Sequence, residues 1–287
     1  MIPSKQPAPG LAPARSEDLF VDIGGARLRY RDEGEGPAVV LLHGWALDLD
    51  MWEPQAAALS ADYRIVRVDR RGFGLSSGEP SLVDDVSDVQ ALCRHLKLQR
   101  IVLLGTSQGA RVALHVASVS PAMISCLILD GSPRIGAAAG RRDPQELPYE
   151  DFRHLAQTQG MTALRREWMR HPLAELKTGR AEARELLARM VARYPGKDLI
   201  DPVLRPTLLT TTAEMIQSIA PPVLVIGGAL DIDSRRRIAQ ELVRELPHAE
   251  RAEIPDAGHL CNLDNPQAYT SALRRFLGQH AIAQNHH

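Results

Sequence analysis

Cysteine is scarce in this chain of 287 residues, with only Cys93, Cys126 and Cys261. An odd number at wide spacing fits neither a disulfide framework nor a tetrahedral metal site, which leaves reduced thiols in a cytoplasmic protein as the reading. Long apolar runs are missing too. No stretch approaches the ~18 residues that a membrane span requires. Residues Met1 to Asp18, rich in Pro and Ala, lack the apolar segment of a signal peptide and are expected to form a flexible tail, as are residues 281–287. Neither charge sign is in excess: 34 Lys and Arg face 35 Asp and Glu, for a net charge of −1. Such a balance gives no field that would draw the chain to nucleic acid or to an anionic membrane, so a small organic partner fits better. Metal-binding His, Glu or Cys spacings are absent, and "GFGLSSG" is no dinucleotide fingerprint, because its third Gly is misplaced and no helix opens there. No cofactor is implied, and nothing in the pattern specifies an oligomeric state.

What is present is an ordinary globular composition, 44% hydrophobic and 24% charged. Leu19 to Ile23 and Ala26 to Tyr30 read as two strands joined at Gly24 and Gly25. From Ala38 onward, short apolar runs alternate with helical stretches: Ala38 to Leu42, Ile65 to Val68, Ile101 to Leu104, Leu127 to Leu129, Val223 to Ile226 and Arg251 to Ile254. Nearly continuous apolar strands predict a mostly parallel, doubly wound α/β sheet covered on both faces. Ser81, followed three residues later by Asp84, predicts the start of a helix running to Leu96. Between Pro133 and Ala213 no strand-like run occurs, while Leu186, Leu187, Met190, Val191 and Tyr194 recur at helical spacing. We therefore expect a core over 19–133 and 213–280 with a helical lid inserted at 134–212. The lid region includes a low-complexity loop, "IGAAAG", that begins at Ile135.

The chemistry concentrates in loops that follow strands. Gly105-Thr106-Ser107-Gln108-Gly109 joins "IVLL" to a helical stretch, so Ser107 sits on a sharp strand-to-helix turn where small flanking residues are needed. A serine hydroxyl is a weak nucleophile without a base and a group that orients the base. His259 in "PDAGHL" and Asp231 in "GGALD" follow later strands in the required order. Asp130, after "CLIL", and Asp233 are the other candidates for the acid. Oxyanion donors are expected from the backbone N–H groups of Trp45, in "LLHGWALD", and Gln108, at the N-terminus of the following helix. His43 is read as a ligand of its own loop, and Arg70 and Arg71 as surface charge or as ligands of a substrate carboxylate. Trp168, Met169 and Met161 are candidate walls of the substrate pocket, with lid packing as the equal alternative.

Taken together, "HGWALD", "DRRGFGLSS", "GTSQGA", "GGALD" and "DAGHL" resemble the α/β-hydrolase family, in particular its bacterial branch of small esterases, enol-lactonases and cofactor-free perhydrolases. The resemblance spans roughly Leu19 to Leu277. It implies a Ser107–His259–Asp231 triad, the two oxyanion donors and a cap between Pro133 and Ala213. One departure is Gln108, where many relatives carry Met. The expected activity is cleavage of a carboxylic ester or lactone through an acyl-serine. A perhydrolase or lyase on the same triad, or a slowly turning-over ligand receptor, are the alternatives.

Overall fold

Two consecutive left-handed glycines, Gly24 (φ 54°) and Gly25 (φ 79°), close the first hairpin, a backbone that residues bearing a Cβ avoid. The computed structural model describes residues 17–131, 145–201, 204 and 209–280. The expected tails through residue 16 and from 281 on, and the loop beginning at Ile135, lie outside them. Asp18, at the end of the expected tail, is held by Arg29 and Arg31 at 2.8 and 2.7 Å.

Eight strands form one sheet among the described residues: β1 (Leu19–Ile23), β2 (Ala26–Glu33), β3 (Ala38–Leu42), β4 (Arg64–Val68), β5 (Ile101–Thr106), β6 (Ile124–Asp130), β7 (Val223–Gly228) and β8 (Ala249–Ile254). Their order is β1-β2-β4-β3-β5-β6-β7-β8. β1 and β2 pair antiparallel, β2 joins β4 antiparallel, and every other pairing is parallel. Alternate residues of the central strands enter separate cores. Val39, Leu41, Val102, Leu104 and Ile128 face one side, and Val40, Leu42, Leu103, Leu127 and Leu129 the other. Burial on both faces explains why these strands read as unbroken apolar runs.

Helices cover both faces. One is packed by α1 (Glu53–Leu59), the other by α2 (Leu82–His95) and α3 (Gln108–Val119). Ser81 Oγ accepts the Asp84 N–H at 3.1 Å and so caps α2 at the expected residue. Between β6 and β7 the chain forms α4 (Tyr149–Trp168), kinked at Gly160 (φ 81°), α5 (Ala181–Arg193) and α6 (Lys197–Ile200), followed by α7 (Ala213–Gln217). The apolar residues Leu186, Leu187, Met190 and Val191 that signalled α5 are its buried face. α8 (Asp233–Glu245), α9 (Cys261–Asp264) and α10 (Pro266–His280) complete the layers.

The turn from β5 into α3 is packed backbone against backbone. A Cβ on Gly105 would meet Gly109 O at 2.1 Å, whereas one on Gly227 in β7 would meet nothing within 4 Å. We expect Gly105→Ala to destabilise the protein by about 1–3 kcal/mol, because the backbone atoms it meets cannot move aside as a flexible side chain would. Gly227→Ala should lie within about 0.5 kcal/mol of the parent. Urea unfolding of the two variants measures this, and equal midpoints would contradict the packing argument.

Candidate active site

Ser107 carries φ 55° and ψ −111° as the first residue beyond β5 and the cap of α3. This backbone is rare for a residue with a Cβ, and neighbouring chains hold it in place. Its N–H donates to Asp130 O at 2.8 Å. Gly44 lies close enough that a Cβ there would touch Ser107 Cβ at 3.5 Å, and a Cβ on Gly109 would meet Leu42 O at 2.5 Å. The loop after β3, which carries Trp45, therefore rests directly on the serine turn.

Thr106 and Asp130 are register partners in β5 and β6. The residues that follow them, Ser107 and Gly131, consequently leave the sheet side by side. A Cβ on Gly131 would meet His259 Cε1 at 2.7 Å, so the imidazole occupies the space that this glycine leaves open. His259 Nδ1 faces Asp231 Oδ2 at 2.9 Å. A carboxylate there favours the tautomer with the proton on Nδ1 and turns Nε2 away from Asp231. Asp231 is fixed in turn, because its Oδ1 accepts the Ile232 N–H at 2.8 Å. Two backbone bonds tie its loop to that of His259, from Ala229 N to Ile254 O and from Leu230 N to Ala257 O.

The rival acids point elsewhere. Asp130 is fully buried and accepts from Thr106 Oγ1 at 2.8 Å, Tyr269 OH at 3.2 Å and Cys261 Sγ at 3.3 Å. Asp233 is largely exposed and pairs with Arg236. His43 behaves as its position implied. Its Nε2 accepts the Arg70 N–H at 2.9 Å, which places the proton on Nδ1 to donate to Gly44 O at 2.7 Å. Burial, then the nearby Arg70 charge, hold this imidazole well below its ordinary pKa.

Arg70 and Arg71 are not surface charges. Both are buried, because acids on the inner face of α2 draw them in. Arg70 Nη1 meets Asp85 at 2.8 Å, and Arg71 chelates Asp88 at 2.6 Å. Arg70 Nη2 also donates to Gln108 Oε1 at 3.0 Å, so the polar side chain at that position is tied down. Trp168 is buried edge-on against Trp45, with centroids 4.9 Å apart. Met161 packs against Gly196, within the helical segment, and Met169 lies half-buried on the same core.

With the geometry in place, comparison shows that the profile of the alpha/beta hydrolase fold matches residues 37–266. The chain belongs to that family. As a hydrolase of this superfamily, it is 27% identical over 260 residues to the pimeloyl-[acyl-carrier protein] methyl ester esterase of Aliivibrio fischeri (strain ATCC 700601 / ES114), covering 88% of this chain and 98% of the relative. Among solved structures it is similar to a thermophilic esterase from Thermogutta terrifontis, with a TM-score of 0.76 and 25% identity over 93% of this chain and 99% of the other. The enol-lactonase from Burkholderia xenovorans LB400 aligns with a TM-score of 0.73 and 26% identity, over 91% and 100% of the two chains.

Three features of this hydrolase escaped the sequence reading. Asp264 fixes the histidine loop, accepting the Gly258 N–H at 2.8 Å and the Thr178 N–H at 2.9 Å. Asp198 of α6 accepts the Trp45 indole N–H at 2.7 Å and the Tyr194 hydroxyl. Arg111 is a buried cation in a helix that is otherwise apolar inside, and that mismatch was the one signal available. Among the described residues no group of three His, Cys, Asp or Glu could hold a metal ion.

Burial raises Asp130 to about 6, against the lowering effect of the Thr106 hydroxyl. A carboxyl whose folded pKa lies above its unfolded value contributes stability that is full below the unfolded pKa, near 3.8, and is lost as pH rises through about 6. We expect the stability difference between the parent and Asp130→Asn to shift in favour of Asn by on the order of 2 kcal/mol between pH 4 and pH 8. Urea unfolding at both values tests this; a pH-independent difference would show that the carboxyl does not titrate as described.

Proposed function

We propose that this chain cleaves a carboxylic ester or lactone through a covalent acyl-Ser107 intermediate. The observation that carries the reading is His259 standing over Gly131, beside the Ser107 turn, with its Nδ1 2.9 Å from Asp231. Ser107 Oγ attacks the carbonyl carbon while His259 Nε2 takes the hydroxyl proton. The charge on the tetrahedral oxygen is met by the backbone N–H groups of Trp45 and Gln108, the latter at the positive end of α3. Collapse breaks the bond to the alcohol oxygen, which leaves with the proton from His259. Water, deprotonated by the same imidazole, then attacks the acyl carbon, and Ser107 regains its proton as the acid departs. Asp231 orients the ring and stabilises its charged form.

Residues 134–212 act in this reading as the lid that shapes the substrate pocket. Support comes from the contacts its described helices make with the loop after β3. Trp168, Phe152 and Tyr194 enclose Trp45, and Arg193 reaches Asp48 at 2.7 Å and Asp50 at 2.6 Å. Trp168 and Met169 are the preferred pocket residues, and Met161 contributes through lid packing. The partner is then a small ester-like molecule, and the protein is assigned to the cytoplasm. Among the described residues no helix is long and apolar enough to cross a membrane, and the three cysteines are free and buried.

Ser107→Ala should lower ester turnover by on the order of 10⁶ while the protein stays folded. Asp231→Asn should lower it by about 10⁴, far more than Asp130→Asn, since only Asp231 faces the imidazole. Side-by-side kinetics decide the matter. Activity of Ser107→Ala above about a hundredth of the parent would overturn the mechanism, and a larger loss from Asp130→Asn would reassign the acid.

For the lid, Trp168→Ala should shift preference toward bulkier acyl groups by about 1–3 kcal/mol in relative kcat/KM. An unchanged ranking across a graded ester series in the folded variant would make Trp168 a packing residue only.

A further inference from the structure

Arg111 stands one turn into α3, 8% exposed, with its backbone N–H on Ser107 O at 3.2 Å. Helical side chains lean toward the N-terminus, which directs its stem back toward the turn that begins at Ser107. Among the described residues no carboxylate comes within ion-pair distance of it, and its Nε is buried without a hydrogen-bond partner. Arg235 holds the matching position in α8, four residues beyond Asp231, and is 6% exposed. Its Nη2 meets Glu146, whose other oxygen accepts from Ser234 Oγ at 2.8 Å. Arg235 Nε and Nη1 are left buried without partners.

The two guanidiniums stand on the first turns of the helices that follow β5 and β7, the strands preceding Ser107 and Asp231, close enough for their charges to act on one another. Burial first, then the charges of Arg235 and Arg70, push Arg111 down to about 9, while among the described residues Glu146 acts to raise it. Two buried, under-paired forks of N–H donors beside a site for acyl chemistry form a receptor for an anion, and their planar geometry matches a carboxylate. A stem that merely covered apolar surface would carry its charged head to water instead.

We propose that Arg111, with Arg235, binds a free carboxylate on the substrate, so that the preferred ester is a half-ester of a short dicarboxylic acid. The substrate claim rests on the acyl-Ser107 reading, while the carboxylate site itself does not. Two measurements separate them. In the first, glutarate is titrated calorimetrically into the full-length Ser107→Ala protein and into the same protein carrying Arg111→Gln; binding should weaken by about 10- to 100-fold, as expected when a charge-assisted hydrogen-bonding partner is lost. In the second, kcat/KM for p-nitrophenyl hemiglutarate is divided by that for p-nitrophenyl valerate, which matches it in length but is neutral. The parent should favour the acidic ester, and Arg111→Gln should lower the ratio by a similar factor.

Arg111→Lys should recover part of the ratio, since it keeps the charge and loses the fork. If Arg111→Gln fails to fold by circular dichroism, Arg235→Gln carries the same two measurements with losses in the same direction. Glutarate affinity that is undetectable in the Ser107→Ala protein, or unchanged by the substitution, would overturn the carboxylate site. Arg111-dependent glutarate binding in a protein that cleaves neither ester would uphold the site and overturn the hydrolase reading. A ratio unaffected by Arg111 in an active enzyme would overturn the substrate claim.

Discussion

A serine backbone at φ 55° and ψ −111° is held where an unconstrained residue would not stay, at a cost of about 1–3 kcal/mol. The surrounding chain over-determines it. Gly105 and Gly109 bring α3 against β5 and the end of β3 at distances that exclude a Cβ, and the Ser107 N–H is bonded to Asp130 O on the neighbouring strand. Once that turn is set, much else follows from strand register. Gly131 emerges beside Ser107 and leaves space for the His259 ring, the β3 loop settles on the serine, and the N-terminus of α3 points its N–H groups at the same place.

A second constraint is the burial of charge around this turn. Asp69 is fully buried, accepts the N–H groups of Leu49 and Leu75, and faces Arg29 at 3.3 Å. Gly74 is obligatory beside it, since a Cβ there would meet the carboxylate at 2.1 Å. Burial and the neighbouring Asp48 push Asp69 up to about 7. The glycine-rich turn after β4 is therefore built around a carboxylate and ties the β3 loop to the sheet. Asp48 and Asp50 extend the network to Arg193 of α5, so the helical segment is bonded to the loop that carries Trp45.

Much of the fold was legible because parallel strands buried on both faces leave unbroken apolar runs, and because Gly24, Gly25 and Ser81 mark turns and a cap by local chemistry alone. The serine turn was legible in part for the same reason: Gly105 is demanded by the neighbouring turn of α3, whereas Gly109 answers to Leu42 and His43 at the end of β3, a contact that only the fold supplies. Strand ends were harder. β2 continues to Glu33 and β6 begins at Ile124, where the alternation weakens but the ladder still pairs. Long-range pairs were not legible. Nothing local distinguishes an arginine drawn inward by Asp85 and Asp88 from one in water, so Arg70 and Arg71 were misjudged. The choice between Asp231 and Asp130 also depended on distance, since both follow strands and only the fold brings one of them to His259.

The central claim is that Ser107 is the residue on which acyl groups reside. Incubating the folded protein with a fluorophosphonate and mapping the adduct by peptide mass spectrometry tests it directly, because such reagents capture a serine only where a base and an oxyanion site act together. The account predicts a single stoichiometric adduct on the peptide bearing Ser107, abolished in Ser107→Ala and strongly slowed in His259→Ala. An unmodified Ser107, or an adduct on another residue, would contradict it.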